Sequence, residues 1–254
     1  MLELRNITAG YQGFEVIKNV NISFAKGSIT GIIGKNGCGK TTLLKTAAQL
    51  LKPISGDIIL NGGSISKMPE KKLATKISFL PQIRSTPNTT VYNLVMHGRF
   101  PYLGFPRIPH AKDKAIVKKA LATLGLKKYR NKNVRELSGG ERQKVYLAMV
   151  LAQDTDYIFL DEPTTFLDIN HQLEILAIIK ELKKLGKAVI MVIHDLNNAL
   201  TNCDKICLLD KGEVVIYGSP KTVYSSGAIE RVFQVKCEEV TLQKKGQSQY
   251  VFSL

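Results

Sequence analysis

The chain has 254 residues, 44% of them hydrophobic, with a mean hydropathy of −0.03, which excludes a disordered chain and a membrane channel alike. Its apolar runs, such as Ala188 to Ile193, are far shorter than the ~20 residues that cross a bilayer, and Met1-Leu-Glu-Leu-Arg opens an amphipathic strand rather than a secretory signal, so the chain reads as soluble and cytosolic. Lys and Arg number 36 against 21 Asp and Glu, a net +15 whose default partner is a polyanion, either nucleic acid or an anionic membrane surface.

Leu2, Leu4 and Ile7 open an alternating strand, and Val16 to Phe24 alternates again with Val20, Ile22 and Phe24 on one face. Ser28 to Ile33 is a short apolar run before a glycine, the pattern of a buried central strand. Thr41 to Leu51 is a predicted helix stopped by Pro53. Asp57 to Leu60 with Asn61-Gly62 predicts a strand and turn, and Ile77 to Leu80 a strand ended by Pro81-Gln82. These early strands read as antiparallel.

Between Thr86 and Glu136 the pattern changes. Thr90 to His97 is a short helical piece, and Arg99 to Pro109 is rich in Pro, Gly and aromatics. Ala111 to Leu124 places Ile116, Val117, Ala120, Leu121 and Leu124 at a helical period. The region reads as a helical insert. Strands and helices then alternate: helix Gly139 to Ala152, strand Tyr157 to Leu160, helix Asn170 to Leu185, strand Ala188 to Ile193. Asp210-Lys-Gly212 joins Ile206 to Leu209 and Glu213 to Tyr217 as a hairpin, and an edge strand is predicted at Gln249 to Phe252 within the closing stretch Gln243 to Leu254. Cys38, Cys203, Cys207 and Cys237 form no C-x-x-C pair and read as reduced thiols.

Gly34-Lys35-Asn36-Gly37-Cys38-Gly39-Lys40-Thr41 fits G-x-x-x-x-G-K-[ST] at every fixed position, between a buried strand and a helix. Its glycines let backbone N–H groups converge on phosphate oxygens, and the helix N-terminus adds the positive end of its dipole. Lys40 is placed to reach β- and γ-phosphates, and the Thr41 hydroxyl to ligate Mg²⁺. Tyr157-Ile-Phe-Leu160 ends in Asp161-Glu162: Asp161 is the candidate for the Mg²⁺ shell and Glu162 for polarising an attacking water. His194 and Gln82 each follow an apolar strand. Parallel strands of this class end at one edge, where ligands bind, so His194 is expected at the same edge as Lys40 and Asp161.

At Leu137-Ser138-Gly139-Gly140-Glu141 the sequence resembles the ATPase subunit of ATP-binding-cassette (ABC) transporters. The resemblance spans essentially the whole chain and keeps the family's motif order. It implies an α/β, P-loop core of ABC type with an antiparallel β subdomain and an inserted α-helical subdomain, in a single domain. Residues 1–85 and 137–254 would form the nucleotide-binding core and 86–136 the helical insert that docks a transmembrane partner. Tyr11 matches the aromatic that stacks on adenine, Gln82 the Q-loop residue that contacts Mg²⁺, Asp161 and Glu162 the Walker B carboxylate and catalytic base, Asp168 the D-loop, and His194 the switch histidine. With Gly34, Asn36, Gly37, Cys38, Gly39, Lys40, Thr41 and Thr42 of one chain and Ser138, Gly139 and Gly140 of another, the resemblance implies Mg-ATP sandwiched in a homodimer. Glu141 stands where many relatives carry Gln.

Thr90-Val-Tyr-Asn-Leu-Val-Met-His-Gly-Arg-Phe-Pro-Tyr-Leu-Gly104, with Gly218-Ser-Pro through Val235, looks like the importers of iron-siderophore, haem and cobalamin. In these the stretch after the Q-loop meets a polytopic permease, which a substrate-binding protein serves in turn. The implied location is cytoplasmic, peripheral on the cytoplasmic face of the membrane. A third reading, an exporter ATPase, keeps the enzyme and changes only the partner. A rival of a different class is a soluble mechanochemical ABC ATPase acting on nucleic acid or a cluster-assembly scaffold. Such proteins usually carry two cassettes, long coiled coils or zinc inserts, none of which is legible here. Charge location argues the same way: between Val95 and Arg135 eleven basic residues face Asp113 alone, inside the expected docking insert.

Overall fold

Hydrophobic alternation builds the first elements of the computed structural model, which describes residues 1–82, 85–242 and 247–254. Strands β1 (Leu2–Tyr11) and β2 (Phe14–Phe24) form an antiparallel hairpin. Its turn residues Gln12 and Gly13 have φ of 50° and 84°, the left-handed pair that matches strand twist. Strand β3 (Ile29–Ile33) is buried at every position and leads to α1 (Lys40–Ala47). Then come β4 (Ser55–Leu60), β5 (Gly63–Ser64), α2 (Glu70–Leu73), β6 (Ile77–Leu80) and α3 (Val91–Met96), followed by a tight helical turn over His97–Tyr102. Helices α4 (Ala111–Thr123) and α5 (Gly139–Gln153) precede β7 (Tyr157–Leu160), α6 (Ile169–Lys184), β8 (Ala188–Val192) and α7 (Leu196–Asn202). The chain ends with the β9 (Lys205–Asp210) and β10 (Glu213–Gly218) hairpin, α8 (Pro220–Ser225), α9 (Ala228–Phe233), β11 (Lys236–Leu242) and β12 (Gln247–Ser253). This is the α/β class that the sequence implies.

Two compact units share these elements, Met1–Lys67 with Leu182–Leu254 forming the first and Met68–Glu181 the second. In the first unit β1 lies between β2 and β4, antiparallel to both, and β5 follows on β4. Leu2, Leu4 and Ile7 of β1 and Ile17, Val20 and Phe24 of β2 are buried. Strand β3 lies between β8 and β9, parallel to both. Strands β11 and β12 form a separate antiparallel ribbon, tied to α7 by Asn197, whose Nδ2 donates to Gln249 at 2.8 Å and whose Oδ1 accepts from Tyr250 N–H at 3.0 Å. The expected edge strand at Gln249 to Phe252 thus lies inside β12; residues 243–246 of that closing stretch lie outside the described residues.

In the second unit β6 and β7 are a parallel pair, Ile77 opposite Tyr157 and Leu80 opposite Leu160, and α3, α4 and α5 pack on one another. Two expectations need correcting. Strands β3 and β6 are early yet parallel, because each is apolar on both faces and pairs with strands from the second half of the chain. Helix α1 ends at Ala47 rather than Leu51: Gln49 has φ 58°, and Leu50 and Leu51 N–H turn back to the Lys45 carbonyl at 2.9 and 3.3 Å.

Arg99 fixes the insert within the second unit. Only 4% exposed, it donates through Nε to Asp113 at 2.9 Å and through Nη1 to the Ala152 carbonyl at 2.8 Å, and its guanidinium lies 3.9 Å from the Tyr102 ring centroid. The Tyr102 hydroxyl donates to the Gln153 carbonyl at 2.8 Å, so two terminal carbonyls of α5 are satisfied by the turn at His97–Tyr102. Burial pushes the Asp113 carboxyl up, but the Arg99 and His110 hydrogen bonds outweigh it and hold the group below its ordinary range. Arg99→Met should therefore strand a buried carboxylate and cost about 3–5 kcal/mol, while Arg99→Met with Asp113→Leu should recover most of that loss. Urea unfolding midpoints check both; unchanged stability in the single variant would remove the ion pair as the anchor.

Candidate functional site

The loop from Gly34 to Thr41 leaves β3 and enters α1 with no acidic residue in the helix's first turn, so the dipole's positive end is open to an anion. Gly34 and Gly39 have φ of 154° and 103°. A Cβ on Gly34 would lie 2.2 Å from the Leu209 carbonyl oxygen, and one on Gly39 would lie 2.8 Å from Ile17 Cγ2. Strands β9 and β2 therefore hold the loop from two sides, and its curvature follows from that grip. Gly212 N–H, from the β9–β10 turn, donates to the Cys38 carbonyl at 3.1 Å. Cys38 is buried, which raises its thiol pKa; Lys35, Asn36 and Gly37 are exposed.

Lys40 is 7% exposed, its ammonium donating to the Gly34 and Lys35 carbonyls, each at 2.9 Å. Both bonds curl the side chain under the loop that the sequence assigns to phosphate. Thr41 is half-buried and Thr42 buried, the latter's carbonyl accepting from Thr46 Oγ1 at 2.8 Å. Ile193 N–H donates to the Ile32 carbonyl at 3.1 Å, so His194 and Gly34 leave parallel neighbours at one edge, and the His194 side chain is exposed there. Tyr11 pairs with Phe14 at the tip of the first hairpin, both exposed, and the stem of that hairpin at Val16 and Ile17 touches Gly39.

In the second unit, Asp161 N–H donates to the Leu80 carbonyl at 2.9 Å, so Gln82 and Asp161-Glu162 come off the same edge of the β6–β7 pair. Asp161 is 4% exposed. Glu162 has φ 52°, a left-handed backbone that costs a non-glycine residue about 1 kcal/mol or more and is offset by the contacts around it. Its Oε2 accepts from Gln82 Nε2 at 2.5 Å and from Thr165 Oγ1 at 3.0 Å. These donors fix the direction of the carboxylate.

Ser138 opens α5 with a reciprocal cap. Its Oγ accepts from Glu141 N–H at 3.3 Å, and Glu141 Oε2 accepts from Ser138 N–H at 2.9 Å. A hydrogen bond from the Tyr129 side chain, then that from the Ser138 backbone, lowers the Glu141 pKa to about 2. Gln143 is buried and donates to the Pro163 carbonyl at 2.6 Å, joining α5 to the loop after Glu162. Asp168 is exposed, and its carboxylate accepts from His171 N–H at 2.9 Å and meets His171 Nδ1 at 2.8 Å. The His171 backbone amide, then its ring, holds Asp168 below the usual carboxylate range.

The structure thus gathers Gly34 to Thr42, the Tyr11 hairpin and His194 in the first unit, and Gln82, Ser138 to Gly140, Asp161, Glu162 and Asp168 in the second. Among the described residues no three His, Cys, Asp or Glu side chains cluster as a metal site. In the second unit the Gln82 amide oxygen and the Asp161 carboxylate are oxygen donors of the kind a hard divalent cation takes, and the Thr41 hydroxyl of the first unit is a donor of the same kind. Sequence reading missed Thr165, Gln143 and His171. The first two stand next to recognised motifs, but only the folded chain shows what their side chains hold.

A family model described as "ABC transporter" matches residues 17–165. The iron(3+)-hydroxamate import ATP-binding protein FhuC of Bacillus subtilis is 42% identical over 94% of this chain and 90% of its own length. The petrobactin import ATP-binding protein FpuD of Bacillus anthracis is 41% identical over 93% of this chain and 88% of its own. Among solved structures, an inward-facing metal-chelate type ABC transporter superposes with a TM-score of 0.85 at 28% identity, covering 99% of this chain and 95% of that one.

The Glu141 cap gives a pH test. Its folded pKa lies below the ordinary carboxylate value, so its stabilisation is present above that value and is lost as pH falls toward about 2. Urea midpoints measured from about pH 5 downward should fall further in the native chain than in Glu141→Gln, whose amide does not titrate. Parallel losses in the two proteins would show that Glu141 is not held by this cap.

Proposed function

Because the chain belongs to the ABC transporter family of ATPases, we infer that it is the ATP-hydrolysing subunit of an importer that moves an iron chelate, haem or cobalamin-type substrate through a separate permease. Two preset groups, one in each unit, support the catalytic part: the Glu162 carboxylate aimed by Gln82 and Thr165 carries it, and the Lys40 ammonium tucked under the glycine loop adds to it separately. The import part is supported by relatives whose names specify iron-hydroxamate and petrobactin import.

Lys40 exchanges its two loop carbonyls for β- and γ-phosphate oxygens, while the amides of Asn36 to Thr42 and the α1 dipole complete the phosphate cradle. Tyr11 stacks on the adenine. Thr41, Gln82 and Asp161 would hold Mg²⁺, which when bound would offset charge developing on the phosphates. Glu162 polarises the attacking water, and His194 steadies the γ-phosphate. Ser138, Gly139, Gly140 and Asp168 serve the nucleotide of a second copy of the chain, so that ATP closes a homodimer and hydrolysis reopens it.

Residues 86–136 form the docking insert for the permease. Phe100, Leu103, Phe105 and Arg107, with Glu70 and Lys71, line a groove of about 510 Å³, and Phe105 is fully exposed beside it. No helix among the described residues is long and apolar enough to cross a membrane. The family resemblance supports a peripheral place on the cytoplasmic face, beside the permease. A substrate-binding protein acts on the permease and touches this subunit only indirectly.

Three measurements test the reading. Lys40→Ala should abolish ATP binding, and unchanged affinity would remove the phosphate-loop role. Glu162→Gln should bind ATP, dimerise and lose at least about a hundredfold in turnover, as removal of a general base does; native turnover would exclude Glu162 as the base. Affinity capture from membranes should bring down a polytopic permease, whereas salt-sensitive nucleic-acid binding would favour the rival class.

A further inference from the structure

The two glycines that open α5 are small for different reasons. A Cβ on Gly139 would meet nothing within 4 Å, whereas one on Gly140 would lie 2.2 Å from His171 Cδ2, 2.3 Å from Cγ and 2.6 Å from Nε2. The His171 imidazole occupies the space in which a side chain at 140 would stand. That ring is not free to move away. Its Nδ1 lies 2.9 and 2.8 Å from the two Asp168 carboxylate oxygens, and its own backbone N–H donates to Oδ1 at 2.9 Å. A carboxylate only accepts, so Nδ1 carries the proton and the Nε2 edge is turned to Gly140. Gln172 N–H donates to the Asp168 carbonyl at 2.9 Å, which seats the clamp on the first turn of α6.

Resting on the functional reading above, we propose that His171 is a positioning residue: its imidazole, clamped by Asp168, sets the N-terminal turn of α5 so that Ser138, Gly139 and Gly140 meet the nucleotide bound by a second subunit. The Ser138–Glu141 cap fixes this turn along its own chain, Gln143 and Lys144 tie the next turn to the Pro163 carbonyl and Glu174, and His171 supplies the lateral stop at the first turn itself. Asp168 is itself exposed, and in the functional reading above it serves the nucleotide of the second copy. A displacement of Asp168 on dimer closure therefore moves the ring against Gly140, and the two motifs act together. Gly140 is required because His171 is there, in addition to any need of the ligand.

The test uses the full chain in the Glu162→Gln background, reading the ATP concentration at half-maximal dimer by sedimentation velocity and the protomer's affinity for a fluorescent ADP analogue. His171→Ala should raise the dimer midpoint about tenfold, the scale of one lost polar or packing contact, and leave ADP affinity and the thermal midpoint near those of the parent. His171→Phe, which keeps a flat ring against Gly140, should stay within about threefold of the parent. Gly140→Ala should abolish dimerisation, and adding His171→Ala should restore it to the level of His171→Ala alone. Dimers indifferent to His171→Ala, or a Gly140→Ala defect that His171→Ala does not relieve, would overturn the proposal while leaving the ATPase assignment intact. Absence of ATP-dependent dimers in Glu162→Gln itself would overturn the functional reading and the proposal with it.

Discussion

Helix α5 has eight terminal backbone groups that its own ladder cannot satisfy, and the partners they find decide what is attached to the helix. At the C-terminal end the Ala152 and Gln153 carbonyls accept from Arg99 and Tyr102, the turn that follows α3. At the N-terminal end the Ser138–Glu141 box satisfies the amides of Ser138 and Glu141. From its flank Gln143 donates to the Pro163 carbonyl and Tyr146 to the Ser85 carbonyl. One rigid element thereby touches the stretch behind Gln82, the loop behind Glu162 and the aromatic segment of the insert. Motion of any of them is felt at Ser138, because a fifteen-residue helix moves as a body.

The first unit solves a different problem with the same means. A loop that aims several amides at one point must hold unusual backbone angles, and left to itself it would relax. Here β9 and β2 close on Gly34 and Gly39 at distances that admit no side chain, and the β9–β10 turn fastens Cys38. Lys40 braces the loop from beneath through two carbonyls. The curvature is thus set by contacts of the chain with itself, the kind of preorganisation that spares a binding site the cost of ordering.

What could be read from sequence was what local chemistry encodes. The glycine spacing of Gly34 to Thr41, the carboxylates closing Tyr157 to Leu160, and the period of Ala111 to Leu124 are each written within fourteen residues. Ser138 at the start of α5 was legible because a cap is a local bond. The parallel pairing of β3 and β6 was not, since apolar runs carry no sign of direction and their partners lie more than seventy residues away. His171 was opaque for the same reason: its meaning depends on Gly140, thirty-one positions earlier. The β11–β12 ribbon was half seen, as Lys236 to Leu242 has no clean alternation to announce it. Gly140 was legible as part of a motif, but its steric reason was not.

The charge that first pointed to nucleic acid acquires a different sense from where its members stand. Arg99 is spent inward on Asp113, the only acid among the eleven basic residues between Val95 and Arg135, and Arg135 donates to the Thr86 carbonyl at 3.3 Å. Arg130 lies 4.6 Å from the Tyr92 ring centroid, and Lys128 and Lys132 lie 4.9 and 5.7 Å from that of Tyr129, so these chains cover aromatic surface with their stems. On α4, Val117, Ala120 and Leu121 take the buried face, and exposed Lys112, Lys114, Lys118 and Lys119 are spread round the rest of the circumference. A groove that reads bases or grips a phosphate gathers its cations on one line and interleaves aromatics to stack on. Spread charge of this kind acts through its summed field, which near an anionic leaflet amounts to about 1 kcal/mol for each basic side chain and falls off within a Debye length.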